Sequence, residues 1–283
     1  MLSTLKQARQ LLIWWLPAAG ISAALKWHFS AADSYALGWM LQPLSLSLRW
    51  LTGWHFLRTS DGDWVCSAAG IVLVKACAGI NFMTMSFIGW CAMLRPQAAQ
   101  AAEPESAQRR SVLLEWSLRL AAALLLAWFT ALAVNTLRVI AVVAWQPTLQ
   151  HWLAPAAAHR LIGLLIYLTA LTLQLMRGEA LRLGRAAVAG AAIYLAVMVL
   201  VPLLTGNAAA NPTAYREHAW VVLAIALPLA VAGVFGRPLR ASVAFAPRWR
   251  TMCGIDRLIQ ATSRRRLSPC RNQKHPRTGS RST

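Results

Sequence analysis

Charge is scarce and lopsided in this chain of 283 residues: 13% of its residues are Asp, Glu, Lys or Arg, and Lys and Arg outnumber Asp and Glu by 28 to 9. With 58% of the residues hydrophobic and a mean hydropathy of +0.48, so small a charged fraction excludes a water-soluble globular domain, in which about a quarter of the residues carry charge. No small-residue cleavage site follows the first apolar run; Lys26 and His28 come next, so that run is expected to stay as an anchor and not to leave as a signal peptide. The five cysteines and six histidines show no zinc-like spacing, and neither a metal nor another cofactor is expected. What remains is an integral membrane protein. Fourteen tryptophans suit that class, since indoles concentrate where lipid meets water, and Trp14, Trp15, Trp90 and Trp220 lie near the ends of apolar runs.

Six segments are long and apolar enough to cross a bilayer: 11–27, 77–94, 112–134, 160–176, 186–204 and 219–236. Basic residues cluster in alternate connections. Lys6 and Arg9 precede the first span, Arg95, Arg109 and Arg110 follow the second, Arg177, Arg182 and Arg185 follow the fourth, and Arg237 and Arg240 open the tail. By the positive-inside rule these regions are cytoplasmic, and both termini share that side. The expected fold is an all-α polytopic transmembrane helical bundle of about six to eight spans, with residues 1–236 embedded in the membrane and 237–283 a basic, disordered cytoplasmic tail.

The connection 28–76, assigned to the outer side, divides in two. Leu37, Met40, Leu41, Leu44, Leu48 and Leu51 recur at helical spacing, which predicts an amphipathic helix on the outer leaflet. Short β-prone runs then flank the turn Ser60-Asp61-Gly62-Asp63 and end in Ile71-Val72-Leu73-Val74, which predicts a small hairpin leading into the helix that begins at Cys77. The inner connection from Arg95 to Ser111 has no periodicity and reads as a flexible linker. The tail holds twelve Lys or Arg and one Asp. Without a folded module or interleaved aromatics it fits a segment resting on anionic lipid better than a nucleic-acid binder.

From Cys77 to Leu94 the chain carries no formal charge, so Cys77 is expected at a membrane edge on the first turn of a helix. Free N–H groups, the helix dipole and Lys75 would favour its thiolate there. The third span is expected to end at Asn135-Thr136-Leu137-Arg138, because an arginine belongs at an interface or in a polar cavity. The fourth opens with His159-Arg160-Leu161-Ile162-Gly163. Three spans thus bring a thiol, a guanidinium and an imidazole to one side at similar depth. A thiol needs a base, and a developing oxyanion needs a fixed donor; Cys77, His159 and Arg138 are those parts. His28, His55, His151 and His218 compete for the role of base, and Cys77 also reads as a small packing residue.

Ala76-Cys77-Ala78-Gly79-Ile80-Asn81-Phe82, then Asn135-Thr136-Leu137-Arg138-Val139, then His159 with Gly163, resembles the three-motif signature of the exosortase/archaeosortase family. The similarity runs over roughly residues 10 to 180, with the short exosortase K type as the nearest flavour. Ala78 stands where that family usually has Ser. The resemblance implies a membrane-embedded cysteine peptidase or transpeptidase of the inner membrane, its site facing the periplasm. Its substrates would be exported proteins ending in a short motif, a transmembrane helix and a basic cluster. Membrane lipids surround it, and the acceptor is water, an amine, or a hydroxyl of an envelope glycan or lipid. It implies Cys77 as nucleophile, Arg138 as substrate-orienting or oxyanion-stabilising charge, and His159 as proton shuttle.

Asn81 lies four residues after Cys77 and so on the same helical face, and it reads equally as a donor into the site or as interhelical packing. Asn135 reads as a buttress for Arg138 or as a helix-end residue. Cys66, on the same side as Cys77, is a disulfide candidate. Cys91 reads as core, and Cys253 and Cys270 fall in the tail. The competing class is a non-enzymatic membrane assembly factor or transporter component carrying polar residues at its helix ends.

Overall fold

The computed structural model describes residues 2–95, 106–178, 183–204 and 212–235, together with 206 and 209. Most of the connection after Arg95, Arg182, and the whole basic tail with Cys253 and Cys270 lie outside the described residues. The chain forms two compact units, residues 1–102 with 116–241, and residues 103–115 with 242–283. Of the second, only the helical segment 106–115 is described.

The fold is mostly helical. In order come α1 (Leu2–Ala31), α2 (Gly38–Thr52), β1 (Leu57–Arg58), β2 (Trp64–Cys66), β3 (Ile71–Leu73), α3 (Ile80–Met93), α4 (Ser106–Leu149), α5 (Pro155–Gly178), α6 (Leu183–Leu195), α7 (Val201–Leu204) and α8 (Pro212–Phe235). Among the described residues five stretches are long and apolar enough to cross a membrane: Lys75–Met93, Leu113–Leu149, Pro155–Met176, Leu183–Leu204 and Tyr215–Ala232. Helix α1 is long as well, but it is not among them. The interior is mainly apolar, but large apolar side chains also cover the outside and a few polar ones lie within. Leu125, Phe129, Leu137, Leu173, Leu204 and Trp220 are exposed, while Thr84, Ser86, Asn135, Thr136 and Gln174 are buried. Lipid satisfies an apolar exterior; inside, Thr84 and Thr136 bond carbonyls of their own helices, while Ser86, Gln174 and Asn135 bond across elements.

Helix α3 is the axis. Ile80, Phe82, Met83, Met85, Phe87 and Cys91 are all buried, as expected of a helix apolar all round. It packs on α1 and α5, and α5 packs on α6, which packs on α8. Trp14 Nε1 donates to the Cys91 carbonyl at 3.1 Å, joining α1 to α3. Ser86 and Gln174 clasp α3 to α5, Ser86 Oγ donating to Gln174 Oε1 at 3.0 Å and Gln174 Nε2 to the Ser86 carbonyl at 2.9 Å. Between α6 and α7 the helix widens to π geometry over Ala196–Leu200. Pro202 follows directly; it has no N–H and its ring crowds the carbonyl four residues back, a recognised cause of such a bulge.

The amphipathic stretch forms α2, burying Met40, Leu41, Leu44 and Leu48 with Leu37 just before it, whereas Leu51 is exposed. The expected hairpin is a three-stranded antiparallel meander in the order β1-β2-β3. Leu57 pairs with Val65, and Val65 in turn with Val72. The Asp-Gly turn is present, with Gly62 at φ 85° and the Thr59 N–H donating to the Asp63 carbonyl at 2.8 Å.

Two expected boundaries are corrected. Helix α4 does not end at Asn135–Arg138 but continues to Leu149, about three more turns. Nothing in Val139–Trp145 breaks a helix, and Pro147 comes only in the last turns. The apolar part of α4, Leu113–Leu149, is about 55 Å long at 1.5 Å per residue, longer than a hydrocarbon core of about 30 Å. Helix α5 likewise begins at Pro155, where a missing N–H costs nothing at the first helical position, so His159 lies in its second turn.

Candidate functional site

Cys77 does not sit on the first turn of an α-helix. It belongs to a short 3-10 turn, Lys75–Ala78, with its N–H donating to the Val74 carbonyl at 2.7 Å, and α3 starts only after Gly79. Gly79 adopts the left-handed conformation at φ 72°, and a Cβ there would lie 3.1 Å from the Asn135 side chain. A side chain is disfavoured there by backbone strain, and it would also press on Asn135. The break turns Asn81 away from the cysteine: its Oδ1 accepts from Lys26 Nζ, and Asn81 does not line the cavity that holds Cys77. Lys75 also turns away, its ammonium donating to the Ser30 carbonyl at 2.8 Å.

Asn135 is 1% exposed and supports the cysteine turn directly. Its Nδ2 donates to the Cys77 carbonyl, and its Oδ1 accepts the Tyr167 hydroxyl at 2.8 Å. The same hydroxyl accepts from Arg138 Nη1 at 3.2 Å, and Arg138 Nη2 lies 2.7 Å from His159 Nε2. A guanidinium has no acceptor, so Nη2 donates and Nε2 accepts; the neutral imidazole then carries its proton on Nδ1. Cys77, Asn135, Tyr167, Arg138 and His159 form one chain of contacts across the 3-10 turn, α4 and α5. Asn135 reaches Arg138 through Tyr167, not by direct contact.

Gly163 makes room for this chain. A Cβ at that position would stand 2.7 Å from Arg138 Nε, below any ordinary contact. Tyr167 was not legible as a site residue, although it follows His159 and Gly163 at intervals of four, on one face of α5. Its ring stacks on Phe82 of α3 with centroids 4.7 Å apart, and the Arg138 guanidinium lies 5.4 Å from its centroid.

A cavity of about 440 Å³ is lined by Cys77, Arg138 and His159 together. Its walls are β3 with Gly70 on one side and Val139, Val142 and Val143 of α4 on the other. The unforeseen extension of α4 supplies that second wall. A second cavity of about 350 Å³ shares Arg138 and His159 but not Cys77, and it is lined by Lys26, Lys75, Arg160 and His218. Of the competing histidines, none lines the Cys77 cavity. Cys66, Cys77 and Cys91 are free thiols, Cys66 and Cys91 fully buried and Cys77 half-buried. Among the described residues no group of three His, Cys, Asp or Glu converges as a metal site.

No family model, curated protein or solved structure matches the chain.

Proposed function

We propose that this chain is an exosortase-like cysteine peptidase or transpeptidase of the inner membrane, acting at the periplasmic face on the C-terminal sorting tail of exported proteins. The reading is carried by one observation: Cys77, Arg138 and His159, from three separate elements, line a single cavity. The alternation of basic connections supports the orientation, with both termini cytoplasmic.

In the resting site Arg138 occupies His159 Nε2. As sulfur approaches a substrate carbonyl in the cavity, the oxyanion that develops draws the Nη2 donor to itself, being a stronger acceptor than an imidazole nitrogen, and in the same step Nε2 becomes free to act as base. The thiol proton passes to Nε2 as sulfur bonds the carbonyl carbon. The C–N bond breaks, the imidazolium returns the proton to the leaving amine, and a thioester remains on Cys77. An acceptor O–H or N–H then attacks the thioester, its proton passing through His159 to the departing sulfur. Water as acceptor gives hydrolysis; an amine or a hydroxyl of an envelope lipid or glycan gives transfer.

The test is co-expression with an exported protein ending in a short motif, one apolar helix and a basic cluster, with its mature size read by mass spectrometry. Cys77→Ala and His159→Ala should leave the tail in place, and His151→Ala should process normally. Unchanged processing by Cys77→Ala removes the catalytic reading and leaves a non-enzymatic assembly or transport component.

A further inference from the structure

The second cavity has a character that thiol chemistry does not account for. Lys26, Lys75, Arg138 and Arg160 line it with His159 and His218, and no Asp or Glu does so among the described residues. One carboxylate stands close by: Glu217 lies 3.5 Å from Arg160, with its own side chain mostly exposed. Lys26 Nζ donates to the neutral Asn81 amide, and Lys75 Nζ to a backbone carbonyl. His218 Nε2 is buried without a hydrogen-bond partner. Gathering like charges among apolar helices is costly unless counter-charge is supplied. The rest of the wall is apolar, including Phe82, Leu164 and Met198.

We infer that this cavity binds a phosphate oxyanion, either free or carried on a lipid headgroup. Four fixed cations against one partly solvated carboxylate suit a group able to carry more than one negative charge. The guanidinium of Arg160 and the ammonium of Lys26 supply the fork and point-charge donors by which phosphate is held. The apolar wall gives room for the first carbons of an acyl glycerol. Because Arg138 and His159 separate this chamber from that of Cys77, the ligand would sit one side chain away from the thiol without touching it. The inference does not depend on the peptidase reading, since the test reads binding and not turnover.

The experiment uses the full chain in an uncharged maltoside detergent and follows thermal unfolding against three probes: inorganic phosphate, dihexanoyl phosphatidic acid and the phosphate-free dihexanoylglycerol. Saturable stabilisation by phosphatidic acid is expected, with none by dihexanoylglycerol. Lys26→Gln and Arg160→Gln should each raise the midpoint concentration by at least about tenfold, the scale of one charge-assisted contact. Arg160 is a third exposed at its side chain, so its variant keeps the test open if Lys26→Gln fails to fold. Matching saturation by inorganic phosphate assigns a free anion, and an effect confined to phosphatidic acid assigns a headgroup. The basic tail is common to all variants, so unaltered midpoints in both would place binding there and overturn the inference. Absence of saturable stabilisation by either phosphate probe would overturn it as well.

Discussion

Asn135 donates its side-chain amide to the backbone carbonyl of Cys77 across the gap between α4 and the 3-10 turn. The carbonyl belongs to a turn too short to satisfy its own acceptors, and the left-handed Gly79 directs the chain away from any helical partner. A buried carbonyl without a donor costs about 1–3 kcal/mol, so the asparagine fixes where the cysteine stands. Its Oδ1 meanwhile fixes Tyr167, and through Tyr167 the guanidinium of Arg138.

Replacing Asn135 therefore separates positioning from simple packing. Asn135→Ala should lower stability by about 1–3 kcal/mol in thermal unfolding and change the alkylation rate of Cys77 in a single-cysteine background. Asn135→Asp, when ionised, still accepts from Tyr167 but has no N–H for the Cys77 carbonyl. It should show the same altered alkylation as the alanine variant. A wild-type alkylation rate in the alanine variant would mean that the amide does not position the thiol.

Gly163 is expected to be intolerant of the smallest change. The added methyl of Gly163→Ala would meet Arg138 Nε at 2.7 Å and push the guanidinium off Tyr167 and His159. Overpacking of this kind costs about 1–3 kcal/mol; membrane levels should hold while tail processing falls to the level of Arg138→Ala. Wild-type processing in Gly163→Ala would show that the close approach of the Arg138 side chain to α5 is not required.

The parts that were legible in the sequence are those written in local pattern. The leucine spacing of α2, the Asp-Gly turn and the apolar run of α3 each declare themselves within a few residues. Cys77, Arg138 and His159 could be singled out because a thiol, a guanidinium and an imidazole stand out in a chain so poor in charge, and they line one cavity. The end of α4 was not legible: the cost of an arginine within the bilayer suggested a stop near Arg138, whereas helix geometry depends on backbone breakers, and none in Val139–Trp145 precedes Pro147. The orientation of Asn81 was missed because helical spacing from Cys77 assumes continuity through Gly79, which the left-handed backbone denies. Tyr167 was hidden by its neighbours, one aromatic in an apolar span, and only its distance to Asn135 and Arg138 gives it a role.

The placement of the thiols gives a test of the whole arrangement that needs no substrate. Sequence spacing alone allowed both Cys66 and Cys77 to react from the outside, but Cys66 is closed into the meander at 0% exposure and Cys91 into the bundle at 0%. Cys77 alone of the three lines an open cavity. In intact spheroplasts, a maleimide that cannot cross the membrane should label a single-cysteine chain carrying Cys77 and leave those carrying Cys66 or Cys91 unlabelled. Permeabilising the membrane should not change those two, whereas denaturing the protein in hot detergent should expose both. Cys253 and Cys270, in the tail assigned to the cytoplasm, should react only after permeabilisation. If Cys77 also waits for permeabilisation, the cavity faces the cytoplasm, and the positive-inside assignment fails together with the proposed encounter of Cys77 with exported proteins. Reaction of native Cys66 at the rate of Cys77 would instead mean that the meander is open, and the β3 wall of the thiol cavity would have to be withdrawn.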